Sequence, residues 1–157
     1  MTAPAMKIDV VTESGEWTSE AEALVRQALT QASRMQKRGG AVVVLLTDDA
    51  GVQRLNATWR GLDKPTNVLS FPAPEGNPSG ALGDIAIAYE TTAREAGDEK
   101  MPLAHHLLHL VVHGFLHLVG HDHDNDREAE AMEQLEREIL AKLGVPDPYL
   151  TREHAGA

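Results

Sequence analysis

The chain of 157 residues contains no cysteine. Disulfides, thiolate metal sites and cysteine nucleophiles are therefore excluded, and any metal must be held by His, Asp or Glu. No apolar run approaches the roughly 20 residues that a membrane-spanning helix requires. The N-terminal MTAPAMKIDVV lacks the basic start and apolar stretch of a signal peptide, so the expected location is the cytoplasm. No internal repeat, low-complexity tract or interdomain linker breaks the chain, and its length suits one domain, 1–157. A positive charge excess is missing too. The net charge is −10, which argues against a nucleic-acid binder that works by bulk electrostatics. That charge is uneven: residues 1–72 carry eight basic and eight acidic side chains, whereas residues 122–138 carry eight acidic and two basic. A local basic surface around Arg34, Lys37, Arg38, Arg54, Arg60 and Lys64 is compatible with this distribution.

What is present reads as a globular fold, with 42% apolar and 24% charged residues. MKIDVVT (6–12) alternates as a strand does. Ser19 with Glu22 forms a capping box, and Val25, Leu29, Ala32 and Met35 follow at helical spacing until Gly39-Gly40. AVVVLLT (41–47) is apolar on both faces, as in a strand covered from both sides. Asp48 or Asp49 caps a short helix that carries Val52, Leu55 and Trp59 and ends at Gly61. NVLSF (67–71) is a strand stopped by Pro72, and PAPEGNPSG (72–80) is an exposed loop. GDIAIAY (83–89) is a strand with Ile85, Ile87 and Tyr89 on one face, and a helical stretch starts near Glu90. Pro102 suits the first turn of a long helix ending near Val119. Asp124 or Asp126 caps a last helix with Met132, Leu135, Ile139 and Leu143 on its buried side, closed by Gly144 and Pro146. The order β-α-β-α-β-β-α-α predicts an α+β domain: a small mixed sheet of about four strands covered by helices.

HGFLHLVGHDH (113–123) holds four of the eight histidines. On a helix, residues four apart lie on one face, so His113 and His117 can hold the same ion. A third ligand six residues on cannot share that face unless the helix stops. Gly120 permits the stop, because glycine adopts the left-handed conformation that ends helices, and His123 can then return toward the metal. Three protein ligands leave an open position, as in catalytic zinc sites, here on a central helix and the turn after it. Imidazole also suits nickel, copper and iron. His105 and His109 lie further up the stripe and are expected to support the site or line its groove. His121 has no assigned role. Asp122 and Asp124 can orient a ligand imidazole or cap the next helix.

H-x3-H-x2-G-x2-H matches every fixed position of the metzincin protease pattern except one. That pattern has its general-base glutamate where this chain has Gly114. The metal geometry of a protease is thus present without the protease's base. A mid-helix glycine costs about 1 kcal/mol relative to alanine, which points to a steric or functional reason such as room for a larger substrate beside the metal.

HLVVHGFLHLVGHDH (109–123) resembles the signature of the YbeY endoribonucleases, rRNA maturation factors of bacteria. LNATWRGLDKPTNVLSFP (55–72) is similar to that family's second signature, and GDIAIA (83–88) to its central strand. The likeness runs over roughly residues 40–143, in the family's order. It implies a metal-dependent hydrolase, usually assigned one zinc ion, that cuts single-stranded RNA in 16S rRNA 3′-end maturation and ribosome quality control. The implied partners are the 16S rRNA precursor and the small ribosomal subunit with its assembly proteins, with no membrane. The implied metal ligands are His113, His117 and His123, and the implied catalytic residue is Arg60. Asn67 departs from the aspartate of many members, and His121 from their tyrosine.

The chemistry fits this resemblance. Phosphodiester cleavage develops charge on oxygens that a Lewis acid and a bidentate guanidinium can both stabilise. Whether the ribose 2′-hydroxyl or a water attacks is left open. Lys64 and Arg54 are weaker candidates for phosphate contacts, and the 72–80 loop is either a lid or an inert connection. Two other readings stand beside the nuclease. One is a metalloprotease-like hydrolase that draws its base from elsewhere in the chain. The other is a non-catalytic ribosome-assembly factor with a structural metal. The acidic segment 122–138 is read as a solvated face, or as a docking face for a basic ribosomal protein.

Overall fold

A computed structural model describes residues 5–150. Four strands, β1 (Met6–Thr12), β2 (Gly40–Thr47), β3 (Val68–Pro72) and β4 (Ala81–Ala88), form one sheet in the order β1-β2-β4-β3. β1, β2 and β4 run parallel and β3 pairs antiparallel to β4. Parallel neighbours need a crossover, and helix α1 (Ser19–Gln36) supplies it between β1 and β2. Helix α2 (Asp49–Arg60) and the edge strand β3 fill the path from β2 to β4. Helices α3 (Tyr89–Asp98), α4 (Leu103–Leu118) and α5 (Asp126–Lys142) follow. This is the expected α+β architecture, with three helices after β4 because Met101-Pro102 separates the stretch from Glu90 from the long helix.

Cross-strand register explains the burial. Val42, Val44 and Leu46 of β2 face the main core with Ile85 and Ile87 of β4 and are inaccessible or nearly so. Leu45 points the other way, onto a smaller cluster of Val52, Leu69, Ala86 and Ala88 under α2. β2 is therefore apolar on both faces because both faces are covered, as its sequence suggests. On the main side lies α4, buried nearly all round by Leu107, Leu108, Leu110, Val111, Val112, Phe115 and Leu116. It packs against the sheet and against α1, α3 and α5. No helix among the described residues is long and apolar enough to cross a membrane.

Several local expectations change. The N-cap of α1 is Thr18, not Ser19, and Glu22 pairs with Arg26 at 3.1 Å instead of closing a capping box. The same helix ends at Lys37, left-handed at φ 55, so Gly39-Gly40 leads into β2 rather than stopping α1. Asp48 is the cap of α2 and accepts from Gly51 N at 2.8 Å, while Asp49 turns to accept from Thr91 N and Oγ1. Trp59 is not on the buried side of α2; it is 71% exposed, and Asn56 takes the inner position. β4 starts two residues early, at Ala81, and Tyr89 begins α3. Pro102 is the N-cap of α4 rather than part of its first turn. The last helix is capped by Asn125, which accepts from Glu128 N at 2.9 Å, and neither Asp124 nor Asp126 does this. An uncharged side chain thus satisfies a first-turn amide there.

At Gly83, β4 lies close both to the neighbouring strand β3 and to the end of α4. The φ of this glycine is 143, and an added Cβ would lie 2.3 Å from Phe71 O and 2.8 Å from Leu118 Cδ2. Backbone cannot yield as a side chain can. Gly83→Ala is expected to lower the unfolding free energy by about 3 kcal/mol, read by urea denaturation.

Candidate metal centre

His113 and His117 stand one turn apart near the end of α4. The helix then closes in a Schellman turn: His121 N donates to Leu116 O at 2.9 Å and Gly120 N to His117 O at 3.1 Å. Gly120 has φ 102 and open space around it, so the backbone conformation, not crowding, calls for glycine. The reversal brings His123 back to the helix end. One ring nitrogen from each of His113, His117 and His123 lies within 4.8 Å of the others. His113 Nε2 and His117 Nε2 are 3.1 Å apart. Nitrogens bound to one tetrahedral zinc sit about 3.3 Å apart, so this donor set fits a single transition-metal ion. Burial, followed by the neighbouring His113 and His123, lowers the pKa of His117 below the ordinary histidine value, which favours the neutral form a ligand needs. The first two rings are half-buried and His123 is exposed, which leaves one side of the group open.

The surroundings assign the remaining histidines. His109, one turn above His113, is buried and its Nε2 donates to Glu136 Oε2 at 2.6 Å. That contact ties it to α5, and it is not one of the three grouped imidazoles. His121 Nε2 lies 2.7 Å from Gln36 Oε1, which ties the turn to the end of α1. Asp122 accepts from His123 N at 2.8 Å, and this bond lowers its pKa, so it shapes the loop that carries the third imidazole. His105 lies two turns above His113 and outside the group.

Glu136 stands beside His109 and His113, a place that its acidic neighbours in the sequence do not suggest. It sits in the acidic segment 122–138, whose composition suits a solvated face, yet it is 1% exposed. Oε1 accepts from Tyr149 OH at 2.8 Å, and Oε2 lies 3.4 Å from His113 Nδ1 as well as 2.6 Å from His109. Burial pushes the carboxyl up, but the neighbouring His109 and His113 rings outweigh it and hold the pKa at about 2. The signal available from sequence was phase: Met132, Glu136, Ile139 and Leu140 share the buried side of α5.

Arg60 and the three histidines line one open cavity of about 610 Å³, together with Asn67 and Ser70 of the β3 edge. Arg60 Nη2 donates to Ser70 O at 2.5 Å and its guanidinium lies 5.2 Å from the Phe71 ring centroid. A second cavity of about 520 Å³ shares Pro72, His117 and Gly120 with the first and is bordered by the 72–80 loop and Arg38. The loop is held by Asn77, whose Nδ2 donates to Pro74 O at 2.7 Å and Ala81 O at 3.0 Å. It therefore borders the second cavity with its own hydrogen bonds holding its shape. Of the basic residues singled out from sequence, Arg60 and Arg38 line these two cavities, whereas Arg34, Lys37, Arg54 and Lys64 line neither.

Two substitutions in the motifs now have reasons. Gly114 faces the sheet: an added Cβ would sit 3.1 Å from Ile85 Cδ1 and from Ser70 Oγ. The space beside it is filled by β3 and β4, so glycine does not make room for a substrate, and a glutamate would not fit. Asn67 Oδ1 accepts from Val68 N at 2.7 Å, while Nδ2 donates to Glu95 Oε1 at 2.9 Å. An aspartate would set two carboxylates face to face.

Gly114→Ala gains about 1 kcal/mol of helix propensity but crowds two side-chain ends that can move, so its stability should stay within about 1 kcal/mol of the parent. Gly114→Glu should melt far lower, and a glutamate variant as stable as the alanine one would disprove the steric account. Asn67→Asp should cost about 1 kcal/mol at neutral pH through carboxylate repulsion and the lost amide donor. That loss should shrink as acid protonates either carboxylate, which chemical denaturation at two pH values would reveal.

The family description "Endoribonuclease YbeY" matches residues 7–144. A protein of Rhodopseudomonas palustris strain BisB18 named endoribonuclease YbeY is 60% identical over 159 residues, covering 96% of this chain and 95% of its own. One of the same name from Nitrobacter winogradskyi is 56% identical, covering 96% of this chain and 84% of its own. A Thermotoga maritima protein solved in solution shares the fold with a TM-score of 0.60 at 25% identity, over 87% of this chain and 91% of that one. With a family match over most of its length and relatives this similar from end to end, the chain belongs to the YbeY endoribonuclease family.

Proposed function

We propose that the chain is a single endoribonuclease domain, dependent on one zinc ion held by His113, His117 and His123, that cuts single-stranded RNA. The observation that carries this reading is the shared cavity: Arg60 and the three imidazoles open onto the same groove, with edge strand β3 as its floor. A flexible single strand can enter a groove of this kind and splay its backbone toward the histidines.

Arg60 would bind the scissile phosphate. It spends one donor on Ser70 O and rests on Phe71, so its reach is set while its other N–H groups remain for a phosphate oxygen. When bound, the zinc ion would supply Lewis-acid stabilisation of the charge that develops during cleavage. His113 and His117 are fixed by the helix, whereas His123 is fixed by the Gly120 turn and by its neighbour Asp122. Gly114 leaves no carboxylate at the position where a metzincin protease keeps its base, which counts against peptide hydrolysis. The net charge of −10 concentrates RNA attraction on Arg60, Arg38 and the metal rather than on the whole surface. The reading includes the setting that the family implies: 16S rRNA 3′-end maturation and ribosome quality control in the cytoplasm, with the small ribosomal subunit and its assembly proteins as partners.

Purified without a metal-binding tag, the chain should hold about one zinc ion, the stoichiometry of a three-imidazole site. It should cleave single-stranded rRNA fragments, spare duplexes, and lose activity to a chelator. His113→Ala should abolish both metal and cleavage. Arg60→Glu should keep the metal and lose at least about 100-fold in rate, as removal of an electrostatic stabiliser does. Bound metal without cleavage by the parent chain would sink the nuclease reading and leave a ribosome-assembly factor with a structural metal. A 2′,3′-cyclic phosphate on the product would identify the ribose hydroxyl as nucleophile.

A further inference from the structure

We infer that Glu136 is a positioning residue for the metal centre: its buried carboxylate keeps the His113 proton on Nδ1 and so presents the bare Nε2 to the ion. The inference rests on the reading above only in taking His113 as a ligand.

Glu136 is inaccessible on α5, and a charge there needs donors. It is met by three donor groups, His109 Nε2 at 2.6 Å, Tyr149 OH at 2.8 Å and His113 Nδ1 at 3.4 Å. The third contact is long for a hydrogen bond, yet its electrostatics are one-sided. A nitrogen lone pair facing a carboxylate oxygen in a low-dielectric interior is repelled, whereas an N–H is attracted. A neutral imidazole has one proton to place. With it on Nδ1, Nε2 of His113 is the lone-pair atom, and that atom sits 3.1 Å from His117 Nε2 inside the grouped nitrogens. The tie is itself braced. Tyr149 N donates to Asp147 Oδ1 at 2.8 Å, Arg137 Nε donates to Asp147 Oδ2 at 2.9 Å, and the Arg137 guanidinium lies 5.3 Å from the Tyr149 ring centroid. The 147–149 segment and α5 thereby reach the metal site although neither touches its groove.

A purely architectural tie between α4 and α5 would give the same contacts, so the test must read the imidazole and not only stability. Glu136→Gln is isosteric, but its amide can donate to Nδ1 and drive the proton to Nε2. The metal-free parent and Glu136→Gln chains are titrated with cobalt(II) and with zinc against a chromophoric chelator. The His113 tautomer is read by nitrogen-15 NMR. The expected result is an Nδ1-protonated ring in the parent and metal affinity weakened about 10- to 100-fold in the variant. A variant that only melts earlier, with unchanged metal affinity and an unchanged tautomer, overturns the inference. Should the variant fail to fold, the metal-free parent decides, because a proton found on Nε2 of His113 is equally fatal. Tight metal binding without RNA cleavage would sink the nuclease reading and leave the role of Glu136 standing.

Discussion

The structure depends on one helix being pressed into the sheet. α4 is buried nearly all round, and it lies close to β3 and β4 at Gly114, where an added Cβ would sit 3.1 Å from Ile85 Cδ1 and Ser70 Oγ. Core packing at near-crystalline density makes such a seat rigid. Rigidity is what a metal site needs from its scaffold, since ligands held loosely must be ordered when the ion binds. His113 and His117 inherit their positions from the same helix whose other faces are locked in the core.

The same packing decides which chemistry the site can perform. A metal-binding helix and glycine turn of this kind is compatible with peptide hydrolysis when a carboxylate follows the first histidine. Here that position is pressed against the sheet, and the charged groups that line the groove are Arg60, at the end of α2 beside β3, and Asp122, whose carboxylate accepts from His123 N. A cation therefore lines the same groove as the imidazoles. That is the arrangement suited to a phosphate, whose difficulty lies in its charge.

Electrostatics also explains how an acidic protein can belong to a ribonuclease family. Most of the negative charge lies in the last segment, and its one buried member, Glu136, is turned inward onto histidines and a tyrosine. Away from it, the cavity walls carry Arg60 and Arg38, with Asp122 and Glu75 beside them. Charge sign is local at this scale, because salt screens surface charges beyond about 8–10 Å.

Much of this was legible in the amino-acid order, because local rules dominate there. Alternation and 3.6-residue periodicity set the elements, the four-residue spacing of His113 and His117 set a shared face, and Gly120 set the reversal that returns His123. Other local signals misled, among them Ser19 with Glu22 read as a cap and Trp59 read as buried, since capping and burial depend on what stands opposite. Only the tertiary structure decided that Gly114 is a contact with the sheet, that Asn67 must accommodate Glu95, and that Glu136 leaves its acidic neighbours to meet His113. Each of these joins residues far apart in the chain. Sequence encodes such contacts only through packing, and no local pattern reports which distant side chain will fill the space.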